Sequence, residues 1–322
     1  MIRKKAYIGI DLGGTNIKSG LTDSDGHILT SESIASPVDD GASGVKSALL
    51  DTASKLLHYA EKAKMDIVSI GVGSPGGIDS EKGIVLGTTP NIPDWKGTNL
   101  KKLFEDQFHI PTFVDNDANL FLLAEHLYGA AKGYNHVVGL TIGTGIGGAL
   151  IINGEIYRGS GFVGAEIGHM PIVVDGKKCK CGLKGCLECY ANATALVNAY
   201  KSRVKNATRD ITTRDIFQLA SKSDPIANEA IDNWCEYLAT GIAACVNLLN
   251  PQLVVLGGGV AEAGPLLRTK VEKSLQTMVI PVALKGLKVK IARLGNKSGW
   301  MGAGSLGRGK IPKLTSTPLI NR

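Results

Sequence analysis

Residues 8–27 are IGIDLGGTNIKSGLTDSDGH, and residues 137–156 are VVGLTIGTGIGGALIINGEI. Each stretch predicts a strand, a glycine-rich turn, a second strand and another turn. The two stretches begin about 130 residues apart, which indicates a twofold duplication, because a solenoid would have a far shorter period. The sequence therefore predicts two related halves that each open with a β-meander.

The segments outward from these repeats alternate between strands and helices. Helical periodicity predicts helices at 44–64, 118–131 and 225–249, and apolar runs predict strands at 67–73 and 253–259. We therefore predict an α/β protein of two lobes with a cleft between them. The expected lobes are a smaller one, 1–117, and a larger one, 118–299. A C-terminal helix at about 300–322 is expected to pack back on the first lobe.

The two glycine turns, DLGGT at 11–15 and GTGIGG at 143–148, are candidate phosphate-binding turns. Glycines let backbone N–H groups approach an anion without interference from a Cβ. GTGIGG also matches the dinucleotide fingerprint, but that motif requires a following helix, and ALIINGEIY predicts a strand. Simple hairpin glycines are the alternative, and the duplication favours phosphates over it. Asp11, which ends the first strand, suits the sparse protein coordination of Mg²⁺.

Composition and charge exclude several functional classes. The chain has 322 residues, a 43% hydrophobic fraction and a net charge of +7. The basic residues are dispersed without a block of like charges, so we expect no nucleic-acid partner. No apolar stretch approaches the ~18 residues of a membrane span, so we expect no membrane association and a cytoplasmic location.

Four potential metal ligands cluster within 18 residues: His169, Cys179, Cys181 and Cys186. A closed Cys₃His set is typical of structural Zn²⁺, because it leaves no open position on the metal. The alternative is a group of unrelated buried cysteines. Cys189 lies close by but is expected at a helix start and outside the ligand set. The two remaining cysteines, Cys235 and Cys245, are expected to be buried thiols.

These motifs together resemble the ROK family, whose members include sugar kinases and sugar-responsive repressors. The resemblance rests on DLGGT, VDNDAN at 114–119, GTGIGGA, EIGH at 166–169, CKCGLKGCLE at 179–188 and LGGG at 256–259. It spans about residues 6–307 in the family's order. It implies the actin-like ATPase fold, with duplicated ribonuclease H-like lobes.

The resemblance also implies residue roles. Asp117, which ends a predicted strand at 112–117 and precedes a predicted helix, would be the catalytic base, and the alternative is that it serves as the N-cap of that helix. Sugar would be bound by Gly77, Asn91, Asn116, Asp117, Glu166, His169 and Glu188. ATP with Mg²⁺ would be bound by Asp11, Gly13, Gly14, Thr15, Lys18, Gly143, Thr144, Gly145, Gly258 and Gly259. The zinc ligands would be His169, Cys179, Cys181 and Cys186, with the zinc loop at 169–188 ordering the sugar-binding residues.

The predicted activity is ATP-dependent phosphorylation of the 6-hydroxyl of a hexose, with glucose favoured. N-acetylmannosamine, N-acetylglucosamine, fructose and allose are the alternative substrates. A ROK repressor is disfavoured, because the first phosphate strand begins near residue 6 and leaves no room for a helix-turn-helix domain. The zinc loop and the sugar-binding set argue against a chaperone-like or cytoskeletal ATPase. Family likeness also implies a homodimer.

Overall fold

The computed structural model describes residues 3–87, 89, 92–204 and 210–308, in two compact units. The first unit comprises the described residues of 1–132, 158–164 and 296–322, and the second those of 133–157 and 165–295. Up to residue 132 the elements are β1 (Lys4–Leu12), β2 (Asn16–Asp23), β3 (Ile28–Ala35), α1 (Gly41–Lys62), β4 (Met65–Ser74), β5 (Ile78–Asp79), β6 (Ile84–Val85), α2 (Leu100–Phe108), β7 (Thr112–Asn116) and α3 (Asp117–Tyr128).

The second unit and the return to the first supply the remaining helices and strands. In chain order they are β8 (Val137–Ile142), β9 (Ile146–Ile152), β10 (Glu155–Ile156), α4 (Glu188–Ala191), α5 (Ala193–Lys201), α6 (Thr213–Ser221), α7 (Pro225–Leu249), β11 (Leu253–Gly257), α8 (Pro265–Leu275), α9 (Pro281–Leu284), β12 (Lys288–Ile291) and α10 (Ser298–Ser305).

Both units are built on a five-stranded sheet with the same connectivity. The orders are β3-β2-β1-β4-β7 and β10-β9-β8-β11-β12, so each sheet begins with an antiparallel meander and continues with parallel strands. Parallel neighbours need a crossover segment between them, which explains why helices follow each meander. The predicted duplication is therefore confirmed.

Helix α10 packs on the first sheet through glycines. A Cβ on Gly9 would lie 1.8 Å from the Trp300 carbonyl oxygen, and one on Gly71 would lie 1.8 Å from that of Ala303. Only glycine at these two strand positions allows the helix backbone to approach so closely. Residues 309–322 of the predicted C-terminal helix lie outside the described residues.

The division into units differs from the predicted lobe boundary near residue 118. Helix α3 belongs to the first unit, since it packs against α10. A Cβ on Gly302 would lie 2.0 Å from the Leu120 carbonyl oxygen, so the two helices approach each other backbone to backbone at this point. The functional lobes therefore stay a prediction.

Each unit has its own apolar core. In the first, buried side chains of β1, β4 and α1 pack together, and in the second the long helix α7 lies at the centre of the core. Cys235 and Cys245 lie within the second core as buried thiols, as predicted. Among the described residues, the helices are too short or too polar to cross a bilayer.

Candidate active site

The junction between β7 and α3 carries the predicted base. Asn116 is the N-cap of α3: its Oδ1 accepts hydrogen bonds from the N–H of Ala118 at 2.9 Å and of Asn119 at 3.3 Å. Asp117 is therefore the first helical residue and not the cap. Asn116 provides the N-cap, so the position of Asp117 is not explained by helix capping. One Asp117 oxygen accepts the N–H of Ala118 at 2.8 Å.

The loop after β4 lies beside this junction. The Asn116 amide nitrogen donates to the Gly76 carbonyl at 3.0 Å, which fixes the residue next to Gly77. A Cβ on Gly77 would lie 2.4 Å from a Val163 methyl group, so the position admits no side chain without a shift of Val163. Asn91, also predicted to bind sugar, lies outside the described residues.

Asp11 carries a carboxyl group whose pKa is strongly raised. It is half-buried, yet protein atoms surround its carboxyl closely: a Cβ on Gly299, at the start of α10, would lie 2.2 Å from its Oδ2. Burial and the charge of Asp117 raise the pKa of Asp11 to about 7, against the opposing effect of Lys18. A carboxylate with so little compensation fits a divalent cation as its partner.

The first glycine turn is closed by its own backbone. The Gly13 N–H donates to the Asn16 carbonyl at 3.0 Å, and the Ser36 hydroxyl donates to the Gly13 carbonyl at 2.8 Å. Gly14 and Thr15 are exposed at its tip. Lys18, across the strand pair from Asp11, donates to the Asn296 side chain at 3.0 Å.

The second glycine turn is closed by a carboxylate. Glu188 Oε2 accepts the N–H of Ile146 at 2.8 Å, and a Cβ on Gly145 would lie 2.5 Å from that oxygen. The Gly143 carbonyl accepts the N–H of Ala193 at 2.8 Å, so helix α5 begins directly against the turn. Thr144 is exposed at the tip.

A cavity of about 800 Å³ lies beside this turn in the second unit. Gly143, Thr144 and Gly259, three of the predicted nucleotide-binding residues, line it. Gly258 precedes the lining residue Gly259 and packs against the end of β8. Its φ is +81°, and a Cβ there would lie 2.4 Å from the Ile142 carbonyl oxygen. The cavity volume is typical of a small-molecule site.

Glu166 and His169 are brought together by a 3₁₀ turn, Ile167–His169, that follows Glu166. The intervening Gly168 packs on β9, where a Cβ would lie 2.1 Å from the Ile146 carbonyl oxygen. Burial raises the pKa of Glu166, Glu188 adds to this effect, and His169 opposes it. The second unit thus gathers Glu166, His169 and Glu188 beside its glycine turn.

The predicted metal ligands also converge. The ligand atoms of His169, Cys179, Cys181 and Cys186 all lie within 4.8 Å of one another. The Cys181 and Cys186 sulfurs are 3.7 Å apart, and the Cys179 sulfur is 3.7 Å from His169 Nδ1. Ligands of a tetrahedral zinc with ~2.3 Å Zn–S bonds are separated by about 3.8 Å.

The pKa of Cys186 also favours a bound cation at this cluster. Burial and the neighbouring Cys181 and Cys179 thiols raise the pKa of Cys186 to about 12, so the cluster resists forming several thiolates by itself. A bound divalent cation removes that resistance. The Cys189 sulfur lies beside the Cys179 thiol and 3.6 Å from the Lys178 carbonyl oxygen, but it is not one of the four mutually close ligand atoms.

Comparison with known proteins shows the family to which this chain belongs. The ROK family model matches residues 7–310, and the chain belongs to the ROK family. It is 34% identical to a glucokinase of Halalkalibacterium halodurans, over 93% of this chain and 94% of that one. It is 32% identical to a xylose repressor of Bacillus spizizenii, over 94% of this chain and 77% of the repressor.

Among solved structures, a ROK glucokinase of Streptomyces griseus in complex with glucose and AMPPNP superposes with a TM-score of 0.82. The two are 33% identical, and the match covers 95% of this chain and 100% of that one. The predicted family and the predicted actin-like ATPase fold class are thereby confirmed.

The sequence does not predict one wall of the 800 Å³ cavity beside the second glycine turn. Helix α6 lines it with Thr213, Arg214, Phe217, Gln218 and Ser221. No sequence motif marks this helix as part of a binding site. Its exposed polar face, opposite the buried Ile216 and Ala220, is the only local signal.

Proposed function

We propose that this protein is an ATP-dependent hexose kinase that phosphorylates the 6-hydroxyl of its sugar, with glucose as the preferred substrate. One observation carries most of the weight: the chain resembles, over nearly all of both lengths, a ROK glucokinase whose structure contains glucose and AMPPNP. The curated glucokinase relative covers a similar share of the chain.

In this proposal Asp117 is the general base that takes the proton of the sugar hydroxyl. Phosphoryl transfer requires little covalent chemistry from the protein, so positioning and electrostatic stabilisation dominate. A carboxylate on the first residue of α3, next to an N-cap that fixes the helix start, is held in a defined orientation. The sugar hydroxyls would be bound by Gly77, Asn91, Asn116, Asp117, Glu166, His169 and Glu188.

ATP would be held by the two glycine turns. The phosphates would contact Gly13, Gly14, Thr15, Lys18, Gly143, Thr144 and Gly145, and the adenosine would border Gly258 and Gly259. The 800 Å³ cavity beside Thr144 and Gly259 supports this placement of the nucleoside. Asp11 would hold Mg²⁺, which would neutralise part of the phosphate charge.

We further propose that His169, Cys179, Cys181 and Cys186 hold one structural Zn²⁺. The mutual distances of the four ligand atoms support this assignment. In the bound state zinc would order the segment from Glu166 to Glu188, and would take no part in the transfer itself. We also propose a homodimer, two functional lobes that close on the sugar, and a cytoplasmic location, where ATP is available and thiols stay reduced.

A sugar-responsive repressor is the second candidate, because a xylose repressor aligns with 94% of this chain. A coupled assay with ATP, Mg²⁺ and a panel of glucose, N-acetylmannosamine, N-acetylglucosamine, fructose and allose separates the two. The kinase proposal expects the highest kcat/KM on glucose. Turnover on none of the sugars, together with DNA binding that persists at ~200 mM salt, would refute it in favour of the repressor.

A further inference from the structure

Asp115 is a buried carboxylate that the proposed mechanism does not use. Only 1% of the residue is exposed, and it directly precedes the sugar-binding Asn116. Its Oδ1 accepts the N–H of Asn116 at 2.8 Å and the side-chain amide of Asn119 at 3.0 Å. Its Oδ2 accepts Arg158 Nε at 2.9 Å and Nη2 at 2.6 Å. A buried charge is tolerated only when it is hydrogen-bonded and paired in this way.

Arg158 opens a short segment that crosses back into the first unit. Residues 158–164 belong to that unit, although the chain on either side belongs to the other. The Gly164 N–H donates to the Arg158 carbonyl at 2.8 Å and closes the segment into a loop. A Cβ on Gly164 would lie 2.8 Å from the Arg158 carbonyl carbon, so the loop is tight. We call residues 158–164 the Arg158 loop.

The loop touches the other side of the same site. Its Val163 methyl lies against Gly77, a proposed sugar contact, and half of the Val163 surface remains exposed. Its guanidinium reaches Asp115, which is bonded to the backbone of Asn116 and to Asn119 on α3. The loop therefore joins two of the proposed sugar-binding positions, Gly77 and Asn116, from outside the motifs that contain them.

We propose that Arg158 is a positioning residue for the sugar acceptor. Acting through Asp115, it fixes the strand end that presents Asn116 and Asp117, and through its loop it places Val163 against Gly77. Arg158 touches neither substrate in this scheme. The inference rests on the proposed function, because it takes Asp117 as the base.

Four variants test the idea: Arg158→Gln, Arg158→Lys, Asp115→Asn and the double variant Arg158→Gln/Asp115→Asn. Arg158→Gln should lower kcat about 10- to 100-fold, since a small misplacement of reacting groups has effects of this size. The hexose KM should rise about three- to tenfold, and the ATP KM should stay within about twofold. Arg158→Lys should recover part of kcat, because an ammonium keeps the charge but not the two-donor fork.

Coupling decides whether Arg158 acts through Asp115. If it does, the double variant should be no worse in kcat than the poorer single variant, whereas independent effects would multiply. Arg3→Gln is the matched control, because Arg3 forms an exposed ion pair with Asp66, 3.6 Å apart, in the same unit. That control should leave kcat and both KM values at parental levels.

A structural readout separates this inference from the proposed function. In Arg158→Gln, hydrogen exchange of the Arg158 loop amides, Gly164 above all, should accelerate relative to the parent and to Arg3→Gln. A parent enzyme that phosphorylates no hexose would refute the proposed function, while unaccelerated exchange would refute the anchoring. Folded Arg158→Gln with parental kcat and hexose KM, or an equal rise in both KM values, would overturn the positioning role.

Discussion

The two sheets share one connectivity, yet their glycine turns are secured by different means. Gly13 is held by a hydroxyl from Ser36, and the adjacent Asp11 is left with little compensation for its charge. The turn at Gly145 is held by the carboxylate of Glu188, whose charge also raises the pKa of Glu166. The two units thus share the same sheet connectivity, but different side chains hold their glycine turns.

We expect the two units to contribute differently to the proposed reaction. In the first, burial and the charge of Asp117 raise the pKa of Asp11, and a carboxylate in such surroundings suits metal-assisted transfer. In the second, Glu188 joins the glycine turn to the proposed zinc loop, which suits the binding of substrates. Loss of the proposed base in the first unit should therefore act mainly on turnover, and loss of the thiol cluster in the second mainly on affinity.

The largest expected effect is that of Asp117→Asn. Removal of a general base typically lowers the rate ~10²- to 10⁴-fold, and the neutral amide preserves the size of the side chain. The hexose affinity should stay near that of the parent. Steady-state kinetics with calorimetric sugar binding measure both quantities, and Asp106→Asn, an exposed residue paired with Lys102, is the control. Turnover within threefold of the parent would remove Asp117 from the role of base.

Gly258→Ala and Gly259→Ala form a matched pair in the second unit. Gly258 has a φ of +81° and a Cβ there would meet the Ile142 backbone, whereas a Cβ on Gly259 would have nothing within 4 Å. Strain and overpacking together should lower the free energy of unfolding by about 2–4 kcal/mol in Gly258→Ala. Gly259→Ala should change it by less than about 0.5 kcal/mol. Equal unfolding midpoints in urea for the two variants would contradict the turn geometry.

Cys181→Ala tests the link between the thiol cluster and the sugar. The variant should lose bound zinc and lower the hexose affinity about 10- to 100-fold, while the ATP affinity changes less. Cys189→Ala should keep both, because its sulfur lies outside the ligand set. Zinc content is measured by atomic emission and affinity by calorimetry. Loss of zinc without loss of hexose affinity would show that the cluster does not order the sugar site.

The smallest expected effect is a pH dependence of stability from Asp11. Its folded pKa of about 7 lies above the 3.8 of the unfolded chain, so the folded state binds the extra proton between these values. The contribution to stability is complete below pH ~4 and is lost as the pH rises through ~7. In metal-free protein, this loss should be about 1–2 kcal/mol after allowance for solvent screening.

Asp11→Asn should flatten that part of the stability profile. Urea unfolding of parent and variant at pH 4.5 to 8 measures the difference, and Asp66→Asn, an exposed first-unit residue, is the control. Parallel profiles of unfolding free energy against pH for parent and Asp11→Asn would show that folding does not raise the pKa of Asp11. Mg²⁺ with nucleotide should reduce the parental loss, since a cation favours the ionised form.

The sequence by itself determined the duplication, the α/β class and the family. These features depend on local patterns: apolar strands, glycine turns and the short spacing of the cysteines. It also placed Asp117 at a strand-to-helix junction, and α3 begins at that residue. The convergence of His169 with three cysteines followed from short spacings that leave the chain little freedom.

Only the tertiary structure decided which side chains secure these motifs. Asn116, and not Asp117, caps α3; Glu188 reaches Ile146, 42 residues away; and Arg158 reaches Asp115, 43 residues away. The role of α6 in lining the cavity belongs to the same group. Such contacts depend on how packed elements bring distant residues together, and no local period or propensity records which distant partner a polar side chain will meet.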